Sequence, residues 1–458
     1  MRFVAFLMIV SVLLGQYLTE KYSLPRPVAW LPEMVSLLAA FIVIVRGIQQ
    51  RFKDVDAKYF IVFGIMAMHI LAGVILNQMS PGVVFSGIRI YLKSLPFFFL
   101  PLVVKFEDRD LKWQFLLIAA ICLIQFPIAW DQRMATVARG GITGDETSGT
   151  LIISSFMSVF LCCAAAVATA LYLRGRMSLK ILAAFLALTL PATMINETKG
   201  TMILLPIALL APVIYLERKA GTAKVKKTVL TLVLIGAFFA AFIPVYDYFI
   251  QPRWGYGILD FFQREGRVEN YLVKDTDLGS EKAGRIDSLF LPFKAARHDP
   301  AQLVFGLGIA NVSDSFLGPG FQGDHFGRYG HLVSPTTSLF LWEIGLFGTA
   351  LAFFILYMIF RDALVARGAD GITGDLALGW IAVLGIMFLA WFYKKTVGSD
   401  ALSYLFWFYS GVVAAASIRI RREDMLKEVA TRRGSNSRRH LIHAPASARL
   451  SGHSTRIS

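Results

Sequence analysis

Six arginines and three histidines crowd one polar, Gly-rich stretch between Gln251 and Pro335: Arg253, Arg264, Arg267, Arg285, Arg297 and Arg328, with His298, His325 and His331. Guanidinium groups grip phosphate and carboxylate oxygens through paired N–H donors, and an imidazole exchanges a proton near neutrality. Such a set fits chemistry on an anionic substrate. A lone histidine is usually structural, but His331 sits at an interface beside Arg328 and Tyr329, just before an apolar run. Lys199 closes the short segment MINETKG at the start of a helix. A cation there opposes the helix dipole and is better explained if an anion shares the site, although an interfacial lysine reaching for water would look the same. Arg89 and Lys93, four residues apart in an apolar run, share a helix face. Charges at membrane depth need a cavity or a partner. Phosphate binding is preferred for this pair over pairing with Glu33 or with backbone carbonyls. Arg139 leads a Gly-rich turn followed by Asp145 and Glu146, equally readable as a solvated hairpin or a ligand-facing one. Glu197, Asp287 and Asp324 are the carboxylates available as a base.

The elements that must position these residues are membrane helices. Of 458 residues, 56% are hydrophobic and only 17% charged, and the mean hydropathy is +0.59, which excludes a soluble multidomain protein. Apolar runs near the roughly 20 residues that cross a bilayer number twelve. They are Arg2 to Leu18, Val28 to Val45, Tyr59 to Asn77, Gly82 to Val104, Trp113 to Trp130, Thr150 to Leu173, Leu179 to Ile195, Gly200 to Leu216, Thr228 to Ile250, Thr337 to Phe360, Leu376 to Tyr393 and Ala401 to Ile418. The first run lacks a small-residue cleavage site and reads as an uncleaved helix. Cys122, Cys162 and Cys163 fall inside these runs, which indicates neither a disulfide framework nor a zinc site.

Lys and Arg concentrate in alternate connections: 46–58, 105–112, 174–180, 218–227 and 361–367, together with the C-terminal tail. By the positive-inside rule those connections and both termini are cytoplasmic, and the Gln251–Pro335 loop is extracytoplasmic. The net charge of +15 is thereby explained by topology and anionic lipid, with no nucleic-acid partner. The chain divides into an N-terminal bundle of nine helices (1–250), the large loop (251–336), three C-terminal helices (337–418) and a basic tail (419–458) whose Ser- and Arg-rich composition reads as disordered.

Soluble catalytic signatures are missing, among them a Walker A loop, G-x-G-x-x-G, H-E-x-x-H and G-x-S-x-G. An external enzyme without nucleotide sugars needs a substrate already activated in the membrane. A polyprenyl-diphosphate-linked sugar meets that need, because its diphosphate is both the leaving group and the charge that clustered cations recognise.

Three segments carry a family resemblance: TSGTLIISSF; GRIDSLFLPFKAARHDPAQLVFGLGIA, an Arg-containing loop helix followed by an F-G-x-G turn; and GHLVSPTTSLFLWEIGLFG, a His followed by an apolar helix with E-x-G-x-x-G. In order and spacing, from about Arg139 to Phe360, they resemble the bacterial O-antigen ligase and O-antigen polymerase superfamily. The resemblance implies an all-α polytopic membrane protein of about twelve transmembrane helices with one large periplasmic loop, of the GT-C type, in the bacterial inner membrane. It also implies metal-independent, cofactor-free glycosyl transfer from a lipid-linked oligosaccharide. Arg285 then matches the family's loop arginine and His331 its histidine. Lys199 stands where an Arg before Gly is common, keeping the charge but not the two-pronged donor, and Leu332 replaces a frequent Asn. The roles implied are diphosphate binding by Arg285 and Lys199, with Arg89, Lys93 and Arg139 as further cations, and acceptor activation by His331. A flippase and a chain-length regulator would be partners. Polymerisation of exopolysaccharide or O-antigen units is preferred to ligation onto lipid A core. A transporter of lipid-linked sugar is the rival from another class, and it lacks support from a halfway repeat or a long central cytoplasmic connection.

Overall fold

The computed structural model describes residues 2–442 except 54, 142, 145, 217–220, 265, 267–272, 274–282 and 334. Arg267 and Asp145, singled out above, lie outside that set, and of Arg253 only the backbone belongs to it. The described residues form helices and connections, with no strand among them. In chain order the helices are α1 Arg2–Tyr22, α2 Leu31–Gln49, α3 Ala57–Leu76, α4 Pro81–Tyr91, α5 Pro96–Val103, α6 Asp108–Ala138, α7 Ser154–Leu173, α8 Leu179–Thr189, α9 Pro191–Ile195, α10 Thr201–Ile214, α11 Gly221–Trp254, α12 Ile258–Gln263, α13 Asp287–Ala295, α14 Pro300–Phe305, α15 Phe326–Tyr329, α16 Thr336–Glu343, α17 Gly345–Ala366, α18 Gly371–Tyr393 and α19 Asp400–Ile442.

Each of the twelve apolar runs is helical, but not all are single long rods. Nine helices are long and apolar enough to cross a membrane among the described residues, and α4 with α5 makes a tenth if a 50° bend is counted as one span. Proline explains the breaks: Pro96 opens α5 and Pro191 opens α9, each at a position where its missing N–H costs nothing. The runs 179–195 and 201–214 are accordingly shorter. The run expected from Thr337 divides at Ile344 and Gly345 into α16 and α17.

Burial sorts the bundle. Of the apolar window in each span, α19 buries 89%, α7 78% and α18 72%, whereas α11 buries 11%, so α7, α18 and α19 form the centre and α11 the edge. Peripheral helices turn apolar side chains outward, Leu37, Phe41, Ile61 and Val233 among them. In water such a surface would aggregate; in lipid it is the solvated face. Cys122 and Cys162 are buried in this core and Cys163 half-buried, all three free.

The tail is a correction. Expected to be disordered from Arg419, it continues α19 as helix to Ile442. A packed stem removes the nucleation cost, and Arg, Glu, Met, Leu and Lys propagate a helix well. Residues 443–458 lie outside the described set.

Contacts gather the alternate connections at two ends. At one end Arg2 meets Asp110, Arg174 and Arg176 meet Asp375, and Arg422 donates to the Lys53 carbonyl. The same end holds Asp362, fully buried, which accepts from Lys58 Nζ at 2.8 Å, Tyr59 Oη at 2.6 Å, Ser417 Oγ at 3.0 Å and an Arg421 amine at 2.7 Å. Helices α3, α17 and α19 are thus tied by one carboxylate. Asp362→Ala is expected to take away the acceptor these donors share, leaving Lys58 only Asp56 at 3.6 Å, and to cost about 2–3 kcal/mol, read as a lower thermal unfolding midpoint of the detergent-purified protein. An unchanged midpoint would remove Asp362 from the stabilising contacts.

Candidate active site

The opposite end of the bundle carries the residues with chemistry. TSGT is fastened to α6 by two glutamines: Gln125 exchanges hydrogen bonds with Thr150, its Oε1 accepting from the backbone N–H at 2.9 Å and its Nε2 donating to Oγ1 at 2.7 Å. Gln132 Oε1 accepts from the Ser148 and Gly149 N–H groups. The start of α7 then holds the Lys199 segment, since Asn196 Nδ2 donates to the Ser154 carbonyl at 2.9 Å and to Ser158 Oγ at 2.8 Å. Lys199 lies just before α10 with its ammonium 3.9 Å from the centre of the Phe261 ring, a cation–π placement from the loop helix α12.

Gly200 packs against the ring of Tyr393, where a Cβ would come within 3.2 Å of it. The Arg285 guanidinium sits 4.4 Å from the centre of that same ring. Tyr393, at the end of α18, therefore joins the Lys199 turn to the loop arginine. Arg285 lies one residue outside α13, beyond its N-cap Ile286, and the first turn of the helix carries Asp287. Ser288 Oγ donates to the Arg285 carbonyl at 2.8 Å, and Ser338 Oγ of α16 donates to the Ser288 carbonyl at 2.8 Å. Thr336 donates to the Lys394 carbonyl and accepts from the Thr396 N–H at 2.7 Å. The three segments of the family resemblance and the Lys199 turn are in this way one continuous contact network.

The F-G-x-G turn and the E-x-G segment interlock. Gly306 (φ +73°) and Gly345 (φ +63°) lie backbone against backbone, and a Cβ on Gly345 would come within 2.3 Å of the Val304 carbonyl oxygen. The Leu307 N–H donates to the Trp342 carbonyl and the Gly308 N–H to that of Glu343. The Glu343 carboxylate is fully buried and accepts from Tyr91 Oη at 2.7 Å, from the Ala310 N–H at 2.9 Å and from the Val312 N–H at 3.3 Å. Burial pushes its pKa up, and the Lys395 charge opposes that rise. The Lys395 ammonium is pushed down by burial and held up by Glu343 and Asp314. Both groups belong to the short elements outside the spans. Lys395, two residues from Tyr393, donates to Ser313 at 3.3 Å and lines a cavity of about 360 Å³ with Asp314, Phe326 and His331. His331 itself is exposed.

The other candidates have different settings. Arg89 and Lys93 both bond Glu33, and Lys93 also meets Asp400. The Arg89 guanidinium is 4.5 Å from the centre of the Phe316 ring. Pairing with Glu33, ranked below phosphate binding on sequence grounds, is the arrangement found, because α2 and α19 bring two carboxylates to these two cations. Glu197 is engaged by Arg133 at 3.0 Å and by Thr143 at 2.6 Å, so the carboxylate weighed as a base serves a structural clamp. Arg133 also donates to the Ile195 and Phe249 carbonyls, tying α6 to α9 and α11. Arg139 is exposed beside Glu146 at 3.5 Å, and Asp324 is exposed on a turn.

Tyr393, Lys394, Lys395 and Glu343 were not singled out as site residues from sequence. Two lysines in a short connection that the charge pattern assigns to the side poor in Lys and Arg were the signal for the first three, and a glutamate in an apolar run was the signal for the last. Compared with known protein families and with curated proteins, the chain matches no family model and no curated sequence.

Proposed function

We propose that the chain is a membrane glycosyltransferase of the O-antigen polymerase and ligase type, which polymerises exopolysaccharide or O-antigen units carried on polyprenyl diphosphate. The observation that carries this reading is that Gly200, next to Lys199, and the Arg285 guanidinium both meet the Tyr393 ring, within a network that joins all three resembling segments. Arg285 and Lys199 hold the donor's diphosphate and stabilise the charge that develops as it leaves. An acceptor hydroxyl attacks the anomeric carbon with inversion, and His331 orients or deprotonates it from the neighbouring cavity. The bond broken is C1–O to diphosphate, the bond formed is the glycosidic C–O, and the proton passes from acceptor hydroxyl to base.

The same proposal includes twelve crossings, both termini in the cytoplasm and the loop outside the bacterial inner membrane. Its support is the sorting of alternate connections to two ends. The run 179–195, at 1.5 Å per residue, is about 25 Å long, close to the roughly 30 Å of hydrocarbon.

The test uses cells whose only copy carries His331→Ala, beside a deletion and the wild type, with membrane levels of the protein matched. Polymer on a gel is expected to fall by about 10²–10⁴-fold, the range for loss of a general base, with single units still delivered to the surface. Undiminished lipid-linked polymer that fails to attach to lipid A core would instead assign the ligase reaction. Wild-type polymer length would remove His331 from the mechanism.

A further inference from the structure

A second recess, of about 420 Å³, opens along the flank of the bundle between α6, α7, α8, α18 and α19. Its walls are apolar, with Phe115, Phe160, Phe185, Trp380 and Leu405 contributing rings and branched chains. Leu116 and Ile181, which also line it, are 53% and 58% exposed, so it opens sideways toward the surface that faces lipid. Two of its lining residues are charged, Lys112 and Arg176, and both are positive. They lie at the same end, where α6 and α18 begin, while the other end of the recess reaches Ala401 and Leu402. Arg174 and Arg176 meet Asp375, and Lys112 shares a helix face with Asp108, four residues earlier. Three cations thus stand against two carboxylates, and the mouth keeps a positive balance.

We propose that this groove holds an acyl chain of an acidic phospholipid from the leaflet at that end, with its phosphate at Lys112 and Arg176. Charge placement decides the occupant. An apolar channel with cations at one end fits an anionic headgroup on that side and a tail running inward. The isoprenoid of the proposed donor would carry its charge at the opposite end of the bundle, where the groove is lined by Ala401, Leu402 and Leu405 without a cation. Basic side chains at a membrane surface each favour an acidic lipid by about fivefold in affinity.

The full chain would be placed in lipid nanodiscs containing phosphatidylglycerol with a photoactivatable group near the end of one acyl chain, and the adducts mapped by mass spectrometry. A zwitterionic phosphatidylcholine carrying the same group serves as the comparison. Adducts from the acidic lipid are expected on the wall segments 160–171 and 380–387, lowered about fivefold by Lys112→Gln. Ala164→Phe, which fills the groove, should abolish them without lowering the unfolding midpoint. Equal labelling by the two lipids, or labelling indifferent to Lys112→Gln, would overturn the assignment. Displacement by a polyprenyl diphosphate but not by unlabelled phosphatidylglycerol would give the groove to the donor instead. None of these readouts depends on glycosyl transfer, so the two proposals fail separately.

Discussion

Arg285→Ala is expected to abolish long polymer while leaving the protein in the membrane at wild-type level. With purified protein and a defined polyprenyl-diphosphate oligosaccharide, turnover should fall about 10²–10³-fold, the range for removing one preorganised donor to a developing negative charge. The side chain is half-buried, with its guanidinium 4.4 Å from the centre of the Tyr393 ring, a contact that restricts its rotamers and so lowers the entropy lost on binding. Arg285→Lys separates charge from geometry. A lysine keeps the positive charge but neither the planar stack nor two parallel donors, and partial activity with a raised KM is the expected outcome. Full activity in Arg285→Lys would mean that the site needs charge alone. Wild-type activity in Arg285→Ala would defeat the diphosphate role and bring the transporter reading forward, since a transporter's substrate path need not touch this loop. Lys199→Ala should follow Arg285→Ala in direction, because Gly200 and Arg285 meet the same tyrosine ring.

The positions of the helices were legible because apolar length is a local property: a run such as Ser154–Leu173 announces itself whatever surrounds it. The breaks were less legible. Pro96 and Pro191 mark where a helix starts again, but proline is also tolerated inside α10 at Pro206 and Pro212, so the residue alone does not decide between a kink and a stop. The site divides in the same way. Arg285 and Lys199 stood out as cations in places where cations need a reason. Arg89 and Lys93 stood out on the same ground, and their reason proved to be Glu33 and Asp400. Sequence gives the demand for a counter-charge, whereas packing chooses between a ligand and a carboxylate on another helix. Glu343 with Lys395, and Gly306 against Gly345, are pairings between distant parts of the chain, made only when the loop folds back over α16.

Glu343→Ala is expected to produce the largest loss of stability of any single change at this end of the bundle. One buried carboxylate satisfies the Tyr91 hydroxyl and the Ala310 and Val312 N–H groups, and it faces the Lys395 ammonium. Removing it leaves buried donors without an acceptor and the Lys395 ammonium with Asp314 as its remaining counter-charge, which costs about 3–5 kcal/mol. The 308–313 turn, which supplies Val312 to the His331 cavity, should loosen first. Glu343→Gln keeps an acceptor oxygen for the backbone but takes away the larger of the two charges, Glu343 and Asp314, that support the buried Lys395 ammonium. Lys395→Met, introduced into Glu343→Gln, removes that under-compensated charge. The double variant should therefore recover part of the unfolding midpoint lost by Glu343→Gln alone, with a coupling of about 0.5–3 kcal/mol between the two positions. Strictly additive losses in detergent-purified protein would show that Glu343 acts through the turn alone and that Lys395 finds its partner elsewhere. If coupling is present, the buried pair sets the height of the turn and the direction of the lysine together, and the cavity beside His331 takes its shape from a glutamate that never touches substrate.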